Sequence, residues 1–180
     1  MDAQSDVSGR QDGLTGTGKN RKGLSMSRSD SRPQPQSRAQ YKMFVPFATR
    51  WRDNDQYGHM NNAVYYELFD SAINKFLIDA TILDTAGGTA VFLVVSSGCN
   101  YFTEVAYPAD VEVGLAVSRI GTSAVTYDLG LFVAGQDTAS ATGFVVHVNV
   151  GTEAEAAGAQ PMDADTRMKF APLARQDTAI

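Results

Sequence analysis

The apolar residues of this chain change period once, and that change restricts the fold more than any other feature. From Asn62 to Ala80, the residues Tyr65, Leu68, Phe69, Ala72, Ile73, Phe76, Leu77 and Ala80 recur at spacings of three and four. Glu67, Asp70, Ser71, Asn74 and Lys75 gather toward the other side. This is the period of one amphipathic helix, about 28 Å long at about 1.5 Å per residue. After a turn at Gly87-Gly88 the pattern becomes one of strands. Val91 to Glu104 reads as a long strand with Gly98 as its bulge or bend. Val111, Val113, Leu115 and Val117 alternate with polar or small residues, and so do Val125, Tyr127, Leu129, Leu131 and Val133. Phe144, Val146, Val148 and Val150 form one face of a last strand. Phe44 to Trp51 gives a strand ahead of the helix, and Pro46 hints that it lies at an edge. The helix has a wide apolar face, which a sheet must grip. The order predicts an α+β fold, with a curved antiparallel sheet of about five strands wrapped around one long central helix.

The ends read differently. Residues 1–40 are rich in Ser, Gln, Gly and Arg and nearly empty of large apolar side chains, so disorder is expected there, and dispensability for turnover. Within them, Gly13-Leu14-Thr15-Gly16-Thr17-Gly18-Lys19 imitates a phosphate-binding loop. Asn20 stands where Ser or Thr would hold magnesium, no strand precedes it and no apolar helix follows, so it is read as a decoy. Residues 41–150 form the expected folded domain. Residues 151–180 read as a polar tail with a possible short helix from Asp163 to Phe170.

Charge divides along the same boundary. Residues 1–40 carry seven Lys/Arg against four Asp, and the remainder carries eight against sixteen Asp/Glu, giving −5 overall. An acidic body disfavours nucleic acid as a partner. No apolar run approaches the length of a membrane span, and the N-terminus lacks an apolar signal core. Cys99 is the sole cysteine, which excludes an intrachain disulfide. The expected location is the cytoplasm.

Chemistry concentrates in Arg52-Asp53-Asn54-Asp55-Gln56-Tyr57-Gly58-His59-Met60-Asn61-Asn62-Ala63, immediately before the predicted helix. A helix N-terminus offers unpaired backbone N–H groups and the positive end of a dipole, so it can hold an oxyanion. Asp55, seven residues before Asn62, can serve the same reacting centre. A carboxylate with backbone donors is an acyl-transfer constellation in outline. The competing reading is that Asp53 and Asp55 only favour a turn and a helix start. Asn61 suits the N-cap, and Gly58 suits a loop needing positive φ or close approach. His147 and His59 are far apart, and with one cysteine they give no persuasive metal site and no implied cofactor. His147, alternating with Val146 and Val148, is expected to face solvent or a partner subunit. Cys99 reads as a small buried hydrophobe.

Asp53-Asn54-Asp55-Gln56-Tyr57-Gly58-His59-Met60-Asn61-Asn62-Ala63-Val64-Tyr65-Tyr66 resembles the motif of the hotdog-fold acyl-CoA thioesterases, in the 4-hydroxybenzoyl-CoA thioesterase-like branch. A weaker resemblance runs from about Phe44 to Val150 and includes the turn Tyr107-Pro108-Ala109-Asp110. The resemblance implies a hotdog fold and hydrolysis of an acyl-CoA or acyl-carrier-protein thioester. It implies Asp55 as nucleophile or general base, and the backbone N–H of Asn62 as donor to the thioester carbonyl. His59 is then a supporting residue that hydrogen-bonds Asp55, lines the acyl pocket or fixes the loop. A related branch places its catalytic Glu on the central helix, so Glu67 is the rival candidate. Hotdog hydratases resemble Asp-x-Asn-Pro-x-His, with acid and histidine five apart. Here His59 follows Asp55 by four and Asp53 by six, with no proline between. A non-catalytic acyl-ligand binder stays open as the alternative. A single hotdog leaves a sheet edge uncovered, so a homodimer joined edge to edge, or a homotetramer, is expected, with sites near the interface.

Overall fold

The computed structural model describes residues 32–83, 91–151 and 158–179. The expected disorder of residues 1–31, the decoy loop within them and the turn at Gly87-Gly88 lie outside the described residues. The described chain from Pro33 onward forms one compact body. Strand β1 (Met43–Ala48) leads through a short 3-10 turn into helix α1 (Asn62–Asp79). Strands β2 (Val91–Tyr101), β3 (Asp110–Ile120), β4 (Ala124–Val133) and β5 (Ala141–Val150) follow. The chain closes with helix α2 (Ala164–Lys169) and strand β6 (Ala174–Ala179). The sheet runs β1-β3-β4-β5-β2, with neighbours antiparallel. Pro46 therefore sits on an edge strand.

Helix α1 begins and ends close to where its periodicity does, because Asn61 caps it: its side chain accepts from the Ala63 N–H at 2.9 Å. Its buried face is Val64, Tyr65, Leu68, Phe69, Ala72, Ile73, Phe76 and Leu77. The sheet supplies Val111, Val113, Leu115, Val125, Tyr127, Leu129 and Leu131 to the same core. The helix lies close against β5 where Gly143 meets Phe69. A Cβ built on that glycine would stand 2.6 Å from the Phe69 ring.

Three features depart from the sequence reading. The bulge in β2 falls between Val94 and Ser96, where the register with β5 shifts, and not at Gly98. Order begins before Tyr41: Ser37 bridges Thr138, Arg38 pairs with Glu112 at 2.8 Å, and Tyr41 packs with Phe44 and Phe132 on the outer face of the sheet. The last twenty residues supply more than a polar tail. Met162, Phe170 and Leu173 are buried in the main core, and β6 pairs in parallel with β3 beyond the end of β1. Arg167 Nη1 donates to the Gly121 carbonyl, and the Met162 N–H donates to Thr122 O at 2.8 Å. These few anchors are spaced without period, so polar composition conceals them.

His147 also departs from expectation. It is 2% exposed, inside the sheet, between the rings of Tyr127 and Phe92. The register explains why: His147 is opposite Val125, and Val145 is opposite Tyr127, and cross-strand partners share a face. Phe144 consequently points outward and is 40% exposed. Among the described residues no helix is long and apolar enough to cross a membrane.

Candidate active site

The loop between β1 and α1 is held by its first acid. The Arg50 N–H donates to Asp53 Oδ2 at 2.7 Å and Arg50 Nε to Oδ1 at 2.9 Å. The Asn61 N–H donates to the Asp53 carbonyl at 2.8 Å, which ties the start of the loop to its end. Asp53 is a buried structural acid.

Asp55 is placed differently. Its N–H donates to His59 O at 2.7 Å, and its carbonyl accepts from the Gly58 N–H at 3.1 Å. Gly58 has φ of 86°, a left-handed conformation that glycine takes without steric cost. The carboxylate is half engaged: Oδ1 accepts from the N–H groups of Tyr57 at 2.7 Å and His59 at 3.3 Å. Oδ2 has no hydrogen-bond partner among the described residues. A turn thus fixes the side chain by one oxygen and leaves the other unengaged.

Asp55, His59 and Asn62 line one cleft of about 320 Å³. Asn62 is the first residue of α1, and the Asn61 side chain takes up the next N–H, that of Ala63. Among the described residues nothing accepts from the Asn62 N–H. The opposite wall is the chain leaving β2, with Tyr101, Glu104 and Val105. It is stitched to the loop by the Met60 N–H, which donates to Val105 O at 2.7 Å. Tyr65 and Tyr101 meet edge to face in the cleft, with centroids 4.9 Å apart. Burial pushes the Tyr65 hydroxyl up to about 12, so it stays protonated.

His59 does not bond the Asp55 carboxylate through its ring; its Nε2 lies 3.1 Å from Glu104 Oε2. Glu67 lies outside this cleft, its carboxylate 2.9 Å from Arg50 Nη2. Cys99 is half-buried, and burial raises its thiol pKa, which disfavours the thiolate. No group of three or more His, Cys, Asp or Glu among the described residues could hold a metal ion. Sequence reasoning missed Glu104 and Tyr101, because both sit more than thirty residues past the motif and only the sheet brings them to it. A carboxylate and a spare helix N-terminal N–H in one cleft can act on a carbonyl: the first attacks or activates water, the second receives the developing oxyanion.

The fold has counterparts among known proteins. The PA5185 protein of Pseudomonas aeruginosa strain PAO1 is 44% identical, over 79% of this chain and 99% of that one, with a TM-score of 0.75. The PA2801 protein of Pseudomonas aeruginosa is 29% identical over 72% of this chain and 98% of that one, with a TM-score of 0.64. Slr0204 of Synechocystis, a 1,4-dihydroxy-2-naphthoyl-CoA thioesterase, shares the fold at 14% identity, over 71% of this chain and 94% of that one, with a TM-score of 0.63. Curated proteins give no match. The family model of the thioesterase-like superfamily matches residues 49–172, from the start of the loop through α2, and the chain belongs to that superfamily.

Proposed function

We propose that this protein hydrolyses an acyl-CoA or acyl-carrier-protein thioester to the free acid and thiol. The observation that carries the reading is the cleft that holds both the half-engaged Asp55 carboxylate and the unaccepted N–H of Asn62. Asp55 acts as nucleophile or as general base toward water, and the Asn62 N–H polarises the thioester carbonyl. Loss of one such donor elsewhere lowers rates by about 10²–10³. The thiolate leaves readily, so a strong general acid is not required. Membership of the thioesterase-like superfamily supports thioester hydrolysis. The CoA thioester named for the Synechocystis relative, similar in fold, favours the CoA form of the substrate. The Arg50 pairing of Glu67, outside the cleft, favours Asp55 over the helix acid as the working carboxylate.

The test is thiol release from short, long and aromatic acyl thioesters, with Asp55→Asn alongside. Asp55→Asn keeps the shape but cannot attack or take a proton. It is expected to lower kcat by at least about 10²-fold with an unchanged circular dichroism spectrum. A larger loss in Glu67→Gln than in Asp55→Asn would move the site to the helix. Acyl-CoA binding without turnover in the unaltered protein would replace this reading with a ligand-binding one.

A further inference from the structure

Glu104 lies on the wall of the cleft opposite the loop, and the proposed chemistry does not use it. Its partner there is His59, whose Nε2 lies 3.1 Å from Glu104 Oε2. The two groups lie within ion-pair distance across the cleft. His59 is also the residue whose main chain grips Asp55 at both ends: its N–H donates to Asp55 Oδ1 at 3.3 Å, and its carbonyl accepts from the Asp55 N–H at 2.7 Å. The next residue, Met60, is bonded to Val105, the neighbour of Glu104. Residues 59–60 are therefore clamped to residues 104–105 by one side-chain pair and one main-chain bond, and the Asp55 carboxylate hangs from that clamp.

We propose that Glu104 is a positioning residue: through the His59 ring it fixes the loop that aims the Asp55 carboxylate at the substrate carbonyl. The inference rests on the assignment of Asp55 to the chemistry. The pair is 44% and 75% exposed, so it adds little to stability. What it changes is geometry, to which catalysis is far more sensitive. A displacement of about 1 Å at a reacting group can lower a rate by about 10²-fold. The charged and titratable groups facing His59 in the cleft are Asp55, Glu104, Tyr65 and Tyr101. Of these, only Glu104 makes a hydrogen bond or ion pair with the imidazole among the described residues.

A double-mutant cycle on the full chain tests this, with kcat and KM measured on a thioester the protein turns over. Glu104→Ala and His59→Ala are each expected to lower kcat by about tenfold or more, with KM within about threefold. The double variant should be no worse than the weaker single, because both remove one link. Glu104→Gln keeps a side-chain oxygen of the same reach for the ring and should recover most of the loss. Unchanged kcat in Glu104→Ala overturns the proposal. So do losses that multiply in the double variant, or a Glu104→Gln as impaired as Glu104→Ala. An Asp55→Asn variant that keeps full activity would instead overturn the assignment of Asp55 itself, which separates the two failures.

Discussion

Two acids two positions apart illustrate how environment divides labour at the residue scale. Asp53 is buried, and both its oxygens are taken by Arg50, so it serves the loop. Asp55 is tied by one oxygen only and lines the cleft. His147 offers the sharpest prediction at this scale. Burial holds its pKa below the usual value, against a weaker opposing pull from Asp70, and neither ring nitrogen has a partner among the described residues. The folded-state pKa is lower than the unfolded one, so the unfolded chain takes up the proton first as pH falls. The contribution of His147 is therefore complete above about pH 6.5 and declines as pH drops below it. Urea midpoints measured at about pH 7.5 and about pH 5.5 should fall in the unaltered protein and fall less in His147→Phe. Equal slopes in the two proteins would contradict this account.

At the scale of elements, α1, β3, β4 and β5 were legible because each repeats its period over many residues, and β2 because an apolar run opens it. The C-terminal segment was not, since it joins the core through three well-separated side chains. Phe170 packs against Phe76, Phe92 and Tyr127, which ties α1, β2 and β4 together. Truncation of a buried aromatic of this kind typically costs about 3–5 kcal/mol. Phe170→Ala should show a loss of that size in equilibrium denaturation, with a native-like far-ultraviolet spectrum. A change within about 0.5 kcal/mol would mean the segment rests on the surface.

For the whole molecule, the open question is what meets β2. This eleven-residue strand ends the sheet order, and Leu93, Val94 and Val95 on it are each about half exposed or more, Val95 at 60%. A long apolar edge invites pairing with another strand. The expected occupant is β2 of a second copy, which also places the two clefts near the interface. Val95→Lys should shift sedimentation toward the monomer, and activity should fall with it if the partner completes the cleft. An unaltered protein that sediments as an active monomer at micromolar concentration would exclude this arrangement.

The sequence alone determined the helix, its Asn61 cap, the run of strands before and after it along the chain, and the crowding of Asp55, Gly58, His59 and Asn62 into one loop. Those features depend on neighbours within a few positions, which a linear pattern records. It misassigned the inward face of β5, because Val145 and His147 alternate with Phe144 and Val146 and the apolar pair passes for the core face. Register with β4 made that choice and buried the histidine. Nor could it set Glu104 against His59, forty-five positions away, or separate the tied acid from the half-free one. Such contacts depend on strand pairing, and strand pairing is decided only when the sheet closes around the helix.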